Sequence, residues 1–213
     1  MMIAIDGPAA AGKGTLARRV SAHLNLAYLD TGLLYRAVGK KVLDAGQDPE
    51  DAAVAEQVAR ALVADDLNAN GLRIDAVGQA ASKVSAVPGV RAALLDFQKD
   101  FAKSPPAGCD GAVLDGRDIG TVVCPDATAK LFITASTQVR AERRFKELHE
   151  VDSTVIYARV LEDMKERDAR DSSRAVAPLE PAQDAKIIDT SDLSADQVFD
   201  QALVFIGSKT QKA

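Results

Sequence analysis

The chain has only two cysteines in 213 residues, Cys109 and Cys124, and neither stands in a metal-ligand or redox spacing. That argues against a disulfide framework and for a reduced, cytoplasmic chain. No apolar run approaches the roughly 20 residues that a membrane span needs. The N-terminus lacks the charged start and apolar core of a signal peptide and runs directly into a short strand. Basic residues are outnumbered, 26 Lys and Arg against 31 Asp and Glu. A net charge of −5 argues against an extended nucleic-acid groove or an anionic membrane surface as the main partner. Internal repeats and low-complexity segments are missing. So is the guanine-reading N-K-x-D stretch that a GTPase switch would carry. These absences leave an ordinary soluble globule, expected to be cytoplasmic and monomeric, with neither nucleic acid nor membrane as partner.

Five short apolar runs are present: Met2–Ile5, Ala27–Leu29, Ala112–Leu114, Lys130–Thr134 and Lys186–Ile188. None alternates cleanly, and each is bounded by Asp, Gly or Ser, as strands buried on both faces of a parallel sheet should be. Segments of helical period lie between them, such as Leu16/Val20/Leu24 and Val198/Ala202/Phe205. Strands alternating with helices predict an α/β fold, one domain over 1–213. From about 62 to 101 the rhythm breaks. Turn chemistry at Asn70–Gly71 and alanine-rich helical sequence read as an insertion between the second and third strands. The polar tail Ser208–Ala213 is expected to fray.

The stretch Gly7, Pro8, Ala9, Ala10, Ala11, Gly12, Lys13, Gly14, Thr15 follows a predicted strand and opens a predicted helix. It nearly matches G-x-x-x-x-G-K-[ST], whose backbone N–H groups and lysine cradle phosphates, so it predicts ATP or GTP binding. Gly14 stands where the metal-binding hydroxyl usually follows the lysine, and Thr15 comes one residue, about 100° of helix, later. Mg²⁺ is therefore expected to be held by phosphate and water, with Asp115 and Thr15 acting through water. Asp115 also fits as a simple cap.

Three polar constellations stand at predicted strand ends or on a helix. Asp30 and Thr31 read first as N-caps and Tyr35 as a packing residue, whereas Arg36 lies near the predicted phosphate site, which favours a functional role. Asp115–Gly116–Arg117–Asp118 reads either as a ligand site beyond a strand's carboxyl end or as a solvated turn. Along Ile156/Val160/Met164 an apolar stripe continues into Arg167, Asp171 and Arg174, with Arg170 beside them. This is either a helix whose arginines overhang a phosphate site or one knitted by Asp163–Arg167 and Glu166–Arg170 pairs.

Taken together, IDGPAAAGKGTLA, LDTGLLYRA, ASKVSAVPGVRAALL, DGRDIGTVVCPDA, RAERR, KERDARDSSRAVAPL and DAKIIDTS resemble the bacterial cytidylate kinases, a branch of the nucleoside monophosphate kinases. They follow family order over nearly the whole chain. The resemblance implies a three-layer P-loop fold with a five-stranded parallel sheet, a monophosphate-binding insertion at about 62–101 and a short lid at about 150–175. It implies ATP-dependent phosphorylation of CMP and dCMP with Mg²⁺. By position it implies Lys13, Arg117, Arg167, Arg170 and Arg174 as catalytic groups. Thr31, Tyr35, Arg36 and Arg117 fall at the acceptor phosphate or its surroundings, and Ser82, Arg91 and Asp118 at the cytosine. Arg167 and Asp171 fall at the acceptor sugar and Arg174 at the phosphates. Two departures stand out: Thr31 replaces the more usual Ser, and Leu67–Val77 lacks a strand-like stretch that many members carry, which argues against the usual small sheet.

Overall fold

The run Met2–Ile5 extends by one residue to form β1 (Met2–Asp6), the central strand of a five-stranded parallel sheet. The computed structural model describes residues 1–210. Beside β1 stand β2 (Ala27–Asp30), β3 (Ala112–Gly116), β4 (Ala129–Thr134) and β5 (Lys186–Asp189), in the order β2-β3-β1-β4-β5. Ile5 pairs with Asp115 of β3 and Leu131 of β4, so the carboxyl ends of three strands come together around Asp6. Burial on both faces holds for β1 and β3 but not for β5, where only Ile188 is buried and Ile187 is 53% exposed. An edge strand is covered on one side only, and a three-residue apolar run in sequence does not reveal that.

The division into two compact units differs from the expected insertion boundaries. One unit comprises Met1–Leu29 with the chain from Phe101 onward; the other is Asp30–Asp100. In the first, α1 (Lys13–His23) and α8 (Ala195–Thr210) cover the sheet. Leu16 and Val20 meet Val198, Ala202 and Ile206 over Ile3, Ile5, Leu131 and Ile133. Burying each of these leucine, isoleucine and valine side chains stabilises the fold by about 1.5–3 kcal/mol. The tail expected to fray from Ser208 is helical through Thr210, and the remainder lies outside the described residues. Also in this unit, α6 (Thr137–His149) and α7 (Tyr157–Ser173) pack through Ala141, Phe145, Val160 and Met164. Ile156, the first member of the expected stripe, precedes α7 and is half exposed.

The second unit holds α2 (Thr31–Asp44), α3 (Ala52–Arg60), a 3-10 turn (Ala64–Asn68), α4 (Asp75–Val84) and most of α5 (Pro88–Lys103), with no strand after Asp30. It begins at Asp30 rather than near 62 because α2 packs directly on α4. Gly39 permits the approach: a Cβ there would lie 2.9 Å from the Ala81 amide nitrogen. Leu34, Val38, Ala55, Val84, Val90 and Leu94 make this unit's own core. Among the described residues no helix is long and apolar enough to cross a membrane.

Within the first unit a buried carboxylate ties β1 to the chain beyond β3. Asp6 Oδ1 accepts from the Ile119 amide and Oδ2 from that of Gly120, both at 2.7 Å. Ile119 and Gly120 open a π-helical turn, Ile119–Val123. Burial pushes the Asp6 carboxyl up and the nearby Asp118 charge adds to this; the two amides and Lys13 oppose them, and the result is about 6. The folded chain thus holds this proton more tightly than the unfolded chain, so Asp6's contribution to stability is fullest below about 4 and is lost as pH rises through about 6. Thermal melts of the wild type and Asp6→Asn should show the wild type losing ground relative to the variant between about pH 4 and 7, then running level with pH. A difference that does not change over that interval would contradict the linkage.

Candidate active site

The loop between β1 and α1 is shaped by glycines and held by its carbonyls. Gly7 has φ +143° and passes so close to β4 that a Cβ would collide with the Ile133 carbonyl. Gly12, at φ +95°, takes the N-cap position of α1 and offers no side-chain cap, so the first amides of that helix are left for a ligand. Three loop carbonyls are engaged from outside. Lys13 Nζ donates to Pro8 O at 2.8 Å, Arg140 Nη1 to Ala9 O at 3.4 Å, and Thr190 Oγ1 to Ala11 O at 3.0 Å. Lys13 is buried. Burial and then Arg117, with Arg167 behind, lower its ammonium group to about 7 against the opposing pull of Asp115 and Asp6.

Position 14 faces Asp115. A Cβ on Gly14 would lie 3.4 Å from Asp115 Oδ2 and 3.7 Å from the Tyr28 hydroxyl. Asp115 is buried inside β3, which excludes a capping role for it, and its Oδ2 accepts from Tyr28 at 3.1 Å. Thr15 lies on an exposed part of α1. No group of three acidic, His or Cys side chains suited to binding a metal occurs among the described residues. A hard divalent ion carried by phosphate and water suits these donors: one carboxylate next to an empty side-chain position, and one exposed hydroxyl.

Beyond β3 the DGRD segment is no solvated turn, since Asp115 and Asp118 are 6% and 5% exposed. Arg117 Nε donates to Asp171 Oδ2 of α7 at 3.0 Å rather than to its neighbour Asp118. Arg174 Nη1 lies 3.9 Å from Asp171 Oδ1, and both side chains are nearly inaccessible. Burial alone would raise the Asp171 carboxyl; the guanidiniums of Arg117, Arg167 and Arg174 outweigh burial and hold it below the usual range. The expected change of face along α7 is thus realised, from apolar Val160 and Met164 to charged Asp171 and Arg174. Arg170, half-buried on the same helix, has no hydrogen bond or ion pair with any described residue.

The second unit gathers its own group. The Arg91 guanidinium lies 5.5 Å from the centre of the Tyr35 ring and donates to Ser85 O at 3.2 Å. Ser85 Oγ in turn donates to Ser82 O at 2.9 Å. The Ser82 hydroxyl is buried and has no partner among the described residues. Tyr35 also packs on this unit's core, as the reading of it as a packing residue expects. Arg36 Nη1 donates to Leu72 O at 2.8 Å and its guanidinium lies against Gly78. Thr31 is buried at the start of α2. Asp30 is the N-cap residue there, but its carboxylate pairs with Arg73 instead of capping.

Sequence reasoning missed Asp6, Arg140, Asp168 and Thr190. Arg140 is the anchor of α7: it holds Asp168 through two bonds, Nη1 to Oδ1 at 3.0 Å and Nη2 to Oδ2 at 2.6 Å. Its presence in RAERR marked a matching segment, but its partners lie far along the chain and no local pattern reveals them.

The cytidylate kinase family model matches residues 3–208. The cytidylate kinase of Paramagnetospirillum magneticum is 67% identical over 208 residues, covering 98% of both chains. That of Rhodospirillum rubrum is 58% identical over the full length of both. An uncharacterized protein from Eubacterium ventriosum superimposes with a TM-score of 0.54 over 98% of this chain and 99% of its own, at 16% identity, a likeness of fold alone. With a P-loop, a buried DGRD segment and an arginine-bearing helix in one compact unit, and with relatives this similar end to end, the chain belongs to the cytidylate kinase family.

Proposed function

We propose that the chain transfers the γ-phosphoryl group of ATP to CMP or dCMP, releasing ADP and CDP or dCDP. The observation that carries this is the set of cations in the unit that holds the P-loop: Arg117, Arg167 and Arg174 act on buried Asp171, and Arg117 and Arg167 also act on Lys13. An acceptor phosphate oxygen attacks the γ-phosphorus. The new P–O bond forms as the bond to the β,γ-bridging oxygen breaks, and the electron pair leaves on ADP. No covalent enzyme intermediate is needed, so catalysis consists of positioning and charge neutralisation.

Lys13 exchanges the Pro8 carbonyl for β- and γ-phosphate oxygens, whose negative charge favours its ammonium form. The arginines exchange part of their hold on Asp171 for transferring phosphate, and α7 serves as the lid that excludes water. Magnesium, when bound, neutralises phosphate charge; Asp115 and Thr15 would hold its waters, and the bare Gly14 leaves room beside Asp115. The helical unit Asp30–Asp100 takes the part of the acceptor insertion, with Ser82 and Arg91 as base contacts and Thr31, Tyr35 and Arg36 at the phosphate side. Asp118 accepts from the cytosine N4 amino group. Uracil would set an acceptor oxygen against that carboxylate, so UMP is disfavoured. We take the chain to work as a monomer in the cytoplasm.

ADP release is to be measured with CMP, dCMP, UMP, AMP, GMP and shikimate as acceptors. CMP and dCMP should lead; equal or greater activity with AMP or UMP would sink the cytosine assignment. Asp118→Ala should raise the CMP KM and reduce the preference over UMP by about tenfold or more, and an unchanged preference would remove its base-reading role. Arg174→Ala should lower kcat by about 10²-fold if it stabilises transferring charge. Near-normal turnover would confine Arg174 to holding the end of α7, where its Nη2 donates to Ala177 O at 2.7 Å.

A further inference from the structure

The Asp6 carboxylate has no part in the scheme above, yet it is 4% exposed and fully engaged. Its oxygens take the amides of Ile119 and Gly120, the first two residues of the π-helical turn. Asp118 occupies the N-cap position of that turn, and its side chain makes no cap hydrogen bond. At an N-cap, an aspartate ordinarily turns its carboxylate back onto the amide two or three residues ahead. Here the amide two residues ahead, that of Gly120, is taken by a carboxylate from another strand. The fit is close: a Cβ on Gly120 would lie 3.4 Å from Asp6 Oδ2 and 3.2 Å from Lys130 Cδ. From the other side, Asp118 O accepts from the amides of Val122 at 2.9 Å and Val123 at 3.2 Å. The backbone around residue 118 is therefore fixed without use of its own side chain as a cap.

We propose that Asp6 is a positioning residue for Asp118: by capping the turn in its place, Asp6 aims the Asp118 carboxylate at the acceptor base and sets the preference for CMP over UMP while touching neither nucleotide. This rests on the base-reading role proposed for Asp118. The competing role for Asp6 is general support of the P-loop that follows it, which would act on ATP and on both acceptors alike.

Asp6→Asn keeps the side-chain shape but turns one acceptor into a donor facing a backbone amide. kcat/KM is to be measured for CMP and UMP in the wild type, Asp6→Asn, Asp118→Ala and the double variant, with the ATP KM alongside. Asp6→Asn should lower the CMP:UMP ratio about tenfold, the size of one lost charge-assisted hydrogen bond, mainly through the CMP KM. The ATP KM should stay unchanged. On the Asp118→Ala background Asp6→Asn should alter the ratio no further, because the group it aims is gone. An equal loss with CMP and UMP overturns the positioning role, as does a fall in the ratio of the same size on both backgrounds. The Asp118→Ala arm reports on the base-reading role separately: an unchanged ratio there removes that role and the present inference with it. An unchanged ratio in Asp6→Asn alone removes only the inference. Thermal melts establish that each variant folds; should Asp6→Asn fail, Asp6→Ser is carried through the same set. Failure of both to fold assigns Asp6 to the fold and overturns the positioning role.

Discussion

A phosphate-binding loop must turn its amides toward the ligand, and so its carbonyls must find partners elsewhere. The rest of the first unit is arranged around that constraint. Pro8 is held by Lys13, Ala9 by Arg140 and Ala11 by Thr190, so partners come from α1, from α6 and from the end of β5. Each of those residues has a second attachment or role. Arg140 binds Asp168 of α7, and Thr190 Oγ1 accepts from Arg143 of α6 at 3.0 Å. The loop is thereby coupled to α7 through a single guanidinium that also satisfies the Ala135 carbonyl at 2.9 Å. Ala9 and Ala10 pack in the same apolar cluster as Met164, so the coupling is steric as well as polar.

Charge in this unit is balanced in an equally economical way. Three arginines and a lysine in a desolvated region would repel one another strongly; Asp171 compensates the arginines, and Asp115 and Asp6 compensate Lys13. Because these groups already converge, an incoming polyphosphate would exchange partners with them rather than gather them.

Much of the sheet was legible in the sequence because parallel strands buried on both faces are short apolar runs ending in Asp or Gly, as at Ile5–Asp6 and Leu114–Asp115. Lys13, Arg117, Asp171 and Arg174 were legible because strand ends and the changing face of α7 are local patterns. Asp6 was not. It is the last residue of a strand, and its partners at 119 and 120 are brought to it only by the pairing of β1 with β3. Arg140 was hidden for the same reason, its carboxylate partner lying on another helix. The start of the second unit at Asp30 was hidden because α2 has the apolar period of any helix between strands. Only its packing on α4, at a glycine contact, shows which unit it joins. The departure over Leu67–Val77 was legible because that segment lacks the strand-like stretch that many family members carry, and no strand forms there.

The orphaned hydroxyl of Ser82 carries a consequence for evolution of the chain. A buried hydroxyl with no partner costs about 1–3 kcal/mol, and an alanine at 82 would relieve that cost in the free protein. Selection for thermal stability alone would therefore tend to erase Ser82, and a requirement for a hydrogen-bonding ligand would oppose that. With Ser82 as the base contact proposed above, the second unit would hold a conflict between stability and binding at this one atom. Its resolution in any lineage would record which of the two the lineage needed more.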